Sequence, residues 1–189
     1  MHLTFVNKLK NIVTISLVAM FFSCVNSVKE VNDFLADKNL PIGESRDVTH
    51  VYKDSGRVTS RLITPLLFDF SNRKEHPYSE FPEGIKIVTV DYKGTDSTTV
   101  TGNYAISYSK TSISEIIGDV VVFNHVEKTK LLTSQLYWDQ KTNYFFTDKK
   151  FKLAVEQDTI YGTGFESKIN LQNWVMKKMS GDLIIKEEE

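Results

Sequence analysis

The chain has little of several residues that mark common classes of protein. It contains one cysteine, nine glycines and four prolines in 189 residues. A single cysteine excludes an internal disulfide, and so little glycine and proline excludes a linker-rich or low-complexity protein. The net charge of −1 leaves no basic excess of the kind that nucleic-acid binding requires. Hydrophobic residues at 41% and aromatic residues at 12% exclude a disordered chain and suffice for one domain with a core.

The sequence also lacks the motifs of common catalytic and metal sites. His50, His76 and His125 fall on separate segments, without the HxH or HExxH spacing of metal ligands. There is no GxSxG motif, and neither a helix pattern nor a Lys-Ser/Thr pair follows the GTG segment at 162–164. The sequence therefore predicts no metal site, no cofactor and no enzymatic activity.

The first 23 residues differ from the rest of the chain. A short basic part with two lysines precedes an apolar run at 12–22, which only Thr14 and Ser16 interrupt. This run is shorter than the ~20 residues that span a bilayer, and it fits the apolar core of a secretory signal. We therefore predict a signal peptide or membrane segment at 1–23 and an exported remainder. A permanent span is the second interpretation.

The only cysteine directly follows this segment. In the sequence FFSC a small residue, Ser23, precedes Cys24, as in the lipobox of bacterial lipoproteins, although Phe21 stands where leucine is usual. The pattern predicts acylation of Cys24; the alternative is a chance cysteine at the end of a signal or anchor. The polar residues 24–45 predict a tether between membrane and domain, with a short helical turn near 31–36.

From residue 46 onward, short segments of strand character alternate with turn signals. IKIVTVDY and TTVTGNYAISY are examples, separated by the turn KGTDS. Strands of this length, with turns about every 8–12 residues, predict an all-β sandwich, barrel or roll over residues 46–185. An acidic tail follows at 186–189.

The stretch LLTSQLYWDQKTNYFFTDKKFKLAV, residues 131–155, predicts strands that are apolar on one side only. Alternation leaves open whether a second sheet closes this apolar face or whether the face is a groove for an amphipathic ligand. A groove has a physical use, since burial is worth ~0.8 kcal/mol per methylene of an acyl chain. A slip of one residue would turn each set of side chains outward. The side chains predicted to face inward are Leu132, Leu136, Trp138, Phe146, Phe151, Leu153 and Phe165.

Five segments, taken in order behind a signal and a cysteine, resemble one family. They are VYKDSGRVTSRLITPLLFDF (51–70), PYSEFPEGI (77–85), SEIIGDVVVFN (114–124), LLTSQLYWDQKTNYFFTDKKFKL (131–153) and IYGTGFES (160–167). Together they resemble the LptC family of lipopolysaccharide export proteins, including the lipoprotein-type members found in the Bacteroidetes. The resemblance spans roughly residues 46–182.

The resemblance implies a V-shaped, antiparallel β-jellyroll-like stack, as in LptA and LptC. It implies a location on the periplasmic side of the inner membrane of a Gram-negative cell. There the protein would accept lipopolysaccharide from the ABC transporter of LptB, LptF and LptG, and pass it to LptA through a hydrophobic groove. The edge near 47–66 would face the transporter, and the edge near 172–185 would face LptA.

Two questions stay open from the sequence. Better-known members of the family are anchored by a transmembrane helix, so the chain is held either by an acylated Cys24 or by its N-terminal segment. The alternative to the groove is an LptA-like or other exported β-roll adaptor with a sealed core and no lipid groove.

Overall fold

A computed structural model describes residues 27–156 and 158–180. The chain divides into two compact units after Asn39. The first contains helix α1 (Val28–Asp37), which is longer than the helical turn predicted near 31–36. A capping box starts the helix: the Glu30 amide donates to the Ser27 hydroxyl at 3.2 Å, and the Ser27 amide donates to the Glu30 carboxylate at 3.1 Å. Among the described residues, no helix is long and apolar enough to cross a membrane.

The second unit is all β, as the alternation predicts. Its sheet is antiparallel throughout the described residues, and the β-jellyroll-like class is confirmed. The eleven described strands are β1 (Gly43–Asp54), β2 (Arg57–Phe70), β3 (Tyr78–Phe81), β4 (Ile85–Val90), β5 (Asp96–Gly102), β6 (Tyr104–Tyr108), β7 (Ile113–Asn124), β8 (Lys130–Asp139), β9 (Tyr144–Val155), β10 (Asp158–Lys168) and β11 (Val175–Ser180).

Each long strand, such as β2 or β7, pairs with different neighbours along its two halves. Strand β2 pairs with β4 through residues 60–63 and with β3 through residues 68–70. Strand β7 pairs with β5 through residues 121–124 and with β6 through residues 113–117. The sheet therefore has two layers. The β4–β5 layer consists of β4, β5 and the adjoining halves of the long strands, and the β3–β6 layer consists of β3, β6 and the other halves.

A line of irregular pairing separates the two layers. The register shifts between Ile117 and Val120 on β7, where Gly118 has φ +78°, and beside Gly164 on β10, where φ is +76°. Glycine adopts this left-handed backbone without the strain that a Cβ causes. On β2 the line passes Pro65, which has no N–H to donate to a ladder. These positions allow each long strand to change direction between the layers.

The core lies between the inner faces of the two layers. In the β4–β5 layer, directly paired side chains form a continuous apolar row from β2 to β10. Residues of both layers belong to one buried cluster, and burial of this apolar surface is the main driving force for closing the sheet on itself. The row consists of Leu62, Ile87, Val100, Val122, Leu131, Leu153 and Ile160.

Candidate binding slit

At the β2 end of the fold, the two layers enclose a cavity instead of packing against each other. Its volume is about 310 Å³, at the lower end of the range for small-molecule pockets. Both layers contribute to an apolar floor, defined as the five apolar aliphatic and phenyl side chains of the lining. The apolar floor consists of Leu62, Phe81, Ile85, Ile87 and Ala105.

One part of the polar lining is a row of directly paired residues on the β3–β6 layer. Ser79 pairs with Ser107, and Ser107 pairs with Ser114; we call these three residues the serine row. The row continues to Trp138 on β8, which also lines the cavity. Successive inward-facing positions on a strand lie two residues apart. The serine row is therefore the inward-facing row next to the apolar floor.

Hydrogen bonds connect part of the serine row. The Ser114 hydroxyl donates to the Ser107 hydroxyl at 2.9 Å, and the Gln140 amide nitrogen donates to Ser114 at 2.7 Å and to Ser107 at 3.2 Å. The Trp138 indole N–H is buried and has no hydrogen-bond partner among the described residues. An unpaired buried donor costs about 1–3 kcal/mol, so this indole is a polar group that the protein alone leaves unsatisfied.

The lining of the cavity carries no formal charge. None of the described residues that line it is Asp, Glu, Lys, Arg or His. Tyr52 at its mouth is the only lining residue with a resolved pKa shift among those described: burial raises the pKa of its phenol above the ordinary value. The phenol therefore stays neutral at physiological pH. The cavity is suited to apolar and uncharged polar groups.

Toward β10 the space between the layers is filled. Leu131, Leu153 and Phe165 are fully buried. The loop between β10 and β11 covers this end, where Leu171 is only 3% exposed and belongs to the core cluster. We call the space between the two layers the slit. It is open at the β2 end, where the cavity lies, and sealed at the β10 end.

Five of the seven residues predicted to face inward do so. Leu136, Phe151, Leu153 and Phe165 are buried members of the core cluster. Trp138 is half-buried, packs against that cluster and lines the cavity. Of these five, only Trp138 lies on the cavity, and a lipid-facing role stays a prediction for all five.

Leu132 does not face inward. It pairs with Val121 and Lys152 on the outer face, where it lines a shallow depression, while its neighbour Leu131 is fully buried. The prediction assumed a single alternation along β8. The pairing of β8 with β9 instead shifts between Thr133 and Tyr137, so inward positions change from odd to even numbers within the strand.

Phe146 also lies on the outer face, where its ring stacks on Tyr137 with centroids 5.2 Å apart. Its neighbour Phe145 is fully buried and packs edge-on against Trp138. The prediction was therefore wrong by one residue. Two adjacent phenylalanines cannot be told apart by hydrophobicity, and a one-residue slip reverses the face.

Sequence reasoning missed the apolar floor and the serine row, which lie before residue 115. The alternation of Ile85 and Ile87 in IKIVTV is the signal that marks one inner face. The serines gave no such signal, because a serine within a strand usually indicates the solvent side. The predicted lipidation site, Cys24, lies outside the described residues.

Fold and slit together define a class: an all-β roll with an apolar interior that opens into an uncharged cavity at one end. The chain belongs to the LptC family, described as lipopolysaccharide-assembly, LptC-related, whose family model matches residues 42–178. The match runs from the start of β1 into β11. A comparison with curated proteins finds no match. The chain therefore has a role in lipopolysaccharide assembly and export in the Gram-negative cell envelope.

Proposed function

We propose that the chain is a periplasmic component of the lipopolysaccharide export machinery, without enzymatic activity. It accepts lipopolysaccharide from the inner-membrane ABC transporter of LptB, LptF and LptG, and passes it to LptA through the slit. The observation that carries this proposal is the cavity of about 310 Å³ between the layers, whose apolar floor continues into the core.

The energetic reason is the cost of exposing acyl chains to water. At ~0.8 kcal/mol per methylene, one chain of about a dozen carbons costs on the order of 10 kcal/mol outside a membrane. The cavity lies where a chain could enter between Leu62 and Phe81, which belong to opposite layers. The transporter, which hydrolyses ATP, supplies the free energy that moves lipopolysaccharide out of the membrane.

The two edges of the sheet are the proposed contacts with partners. Strand β1 pairs only with β2, and β11 only with β10, among the described residues. Unpaired edges permit strand addition by a neighbouring sheet. We assign the β1 edge to LptF and LptG and the β11 edge to LptA. Edge charges on β11, such as Lys177 and Lys178, restrict the choice of partner.

The anchor is proposed to hold the chain at the periplasmic side of the inner membrane. An acylated Cys24 and a retained N-terminal segment make different predictions for the mature protein. The mass of the mature N-terminus distinguishes them, since only cleavage before Cys24 with acylation gives the mass of a lipidated chain that begins there. Release of a Cys24→Ala protein from the membrane supports the lipid anchor, and retention with an uncleaved N-terminus contradicts it.

A block placed in the cavity tests the transfer function. Ser79→Trp fills the cavity from a half-buried position, and Ser134→Trp adds the same side chain on the exposed outer face of β8. The measurement is capture of lipopolysaccharide from vesicles that contain LptB, LptF and LptG. We expect Ser79→Trp to abolish capture and Ser134→Trp to preserve it. Equal capture by both folded variants would contradict transfer through this cavity.

The second candidate is an adaptor with a sealed core, which the complete burial of Leu131, Leu136 and Leu153 favours. Such a protein would join partners through its edges and never hold lipid. It predicts no lipopolysaccharide bound to the parent protein in the same vesicle assay, together with intact binding to LptA.

A further inference from the structure

The cavity is more polar than hydrocarbon chains alone require. An acyl chain needs only the apolar floor, yet Ser79, Ser107 and Ser114 line the same space. Exposing hydroxyl groups to a hydrocarbon ligand without hydrogen bonds costs free energy. The serine row therefore indicates that the ligand brings polar groups of its own to this depth.

The spare donors of the serine row and Trp138 indicate which polar groups of a ligand fit here. Ser114 donates to Ser107, so the Ser107 proton is free to be donated elsewhere. The Ser79 hydroxyl and the Trp138 indole N–H have no hydrogen bond within the described residues. These three spare donors match ligand acceptors such as carbonyl oxygens.

Charge narrows the choice further. No Lys, Arg or His lines the cavity among the described residues, so nothing in it compensates a phosphate or a carboxylate. The groups that fit are uncharged acceptors that lie within a few bonds of hydrocarbon. Ester and amide carbonyls, and hydroxyl groups near them, have both properties.

We propose that the serine row, with Trp138, is a polar subsite that binds the ester or amide linkages between acyl chains and their sugar. The apolar floor holds the first methylenes of the same chains, and the charged head group stays outside the cavity. This subsite rests on the proposed function, because only a slit that binds acylated sugars needs it.

The test compares two probes that differ only in their linkages. The full chain, kept soluble in amphipol, is titrated with a radiolabelled diacylated glucosamine phosphate and with its dialkyl ether analogue, which has the same chains and no carbonyl groups. We expect the acyl probe to bind about tenfold more tightly, the effect of one to two hydrogen bonds. Equal affinity for the two probes overturns the subsite while leaving lipid binding intact. Binding of neither probe overturns the proposed function and the subsite with it.

Two variants in the cavity and one control variant on the outer face locate the effect. Ser107→Ala combined with Ser114→Ala should reduce the preference for the acyl probe to about twofold or less, and Ser134→Ala on the outer face should leave it unchanged. Trp138→Phe keeps an aromatic ring and removes the N–H. We expect it to be as thermally stable as the parent and to weaken only the acyl probe. A folded double serine variant that keeps the tenfold preference, or a Trp138→Phe variant that weakens both probes equally, overturns the assignment.

Discussion

The side-chain amide of Asn124 donates a hydrogen bond of 2.6 Å to the backbone carbonyl of Asn170. This bond joins the end of β7 in the β4–β5 layer to the loop between β10 and β11, which covers the sealed end of the slit. The other side-chain atom, Oδ1, accepts from the amides of Val126 and Glu127 and fixes the turn after β7. One buried asparagine thus holds both a turn and the loop that closes the core.

Asn124→Asp separates these two roles. The carboxylate keeps the acceptor for the turn and loses the donor to Asn170. We expect the free energy of unfolding to fall by about 1–3 kcal/mol, because the partly buried Asn170 carbonyl loses its hydrogen-bond donor. Urea unfolding measures the loss, and hydrogen exchange should quicken at residues 169–172. Unchanged stability and exchange would show that this bond does not hold the loop.

Leu136 and Leu132 provide a matched pair on β8 that tests the assignment of faces. Leu136→Ala should destabilise the fold by about 2–5 kcal/mol, the usual cost of a cavity at a fully buried leucine. Leu132→Ala on the outer face should cost less than about 1 kcal/mol. Chemical unfolding of both variants decides the question. A larger loss for Leu132→Ala would mean that the register of β8 is wrong.

Gly162 lies where β10 passes close to both neighbouring strands. A Cβ added there would meet the Lys178 carbonyl oxygen at 2.5 Å and the Phe151 ring at 2.6 Å, whereas at Gly43 the nearest atom is 3.8 Å away. We expect Gly162→Ala to lower stability by about 1–3 kcal/mol and to loosen β11. Gly43→Ala serves as the control, with thermal unfolding as the measurement. Equal melting temperatures for the two variants would contradict this close packing.

An ion pair on the surface ties β11 to β9 and makes this edge sensitive to pH. Lys177 donates to Asp148 at 2.7 Å and lies 3.7 Å from Glu166. Hydrogen bonding to Lys177 lowers the pKa of the Asp148 carboxyl below its ordinary 3.8, and the same bond raises the pKa of Lys177 above 10.5.

The two pKa shifts set the lower and the upper limit of the pH range in which the ion pair stabilises this edge. The contribution of Asp148 is present above pH ~4 and is lost as the pH falls through its lowered pKa; that of Lys177 is present below pH ~10 and is lost as the pH rises through its raised pKa. We expect Asp148→Asn to quicken hydrogen exchange in β11 at pH 6 and at low salt, relative to the parent, and we expect this difference to be lost as the pH falls through the lowered pKa of Asp148. The difference should shrink in high salt, since both groups are exposed. A difference that is the same at all salt concentrations and does not decline as the pH falls would contradict the ion pair as its cause.

Alternation along the sequence was sufficient for the fold class and for part of the interior. Leu136, Phe151 and Leu153 face inward as their spacing predicts, because each lies on a regular half of its strand. Phe146 on β9 does not, because the adjacent Phe145 takes the inward position. Leu132 does not, because the inward-facing positions of β8 change from odd to even numbers at the line between the layers. That change depends on pairing with β9, which no local pattern records.

The cavity was beyond local prediction for a related reason. Ser79, Ser107 and Ser114 become one row only through pairing of β3, β6 and β7. Each serine alone is typical of a solvent-facing position in a strand. We expected a groove because of the resemblance to the family. The pairing of the strands shows that the cavity lies at the β2 end.

Photo-crosslinking from two positions tests most directly whether the slit holds lipopolysaccharide. A benzoylphenylalanine at Trp138 faces the cavity, and the same residue at Phe146, on the neighbouring strand and similarly half-buried, faces outward. In cells that export lipopolysaccharide, we expect an adduct with lipopolysaccharide from position 138 and none from position 146. An adduct from position 146 alone, or from neither position in folded protein, would contradict a lipid-binding slit.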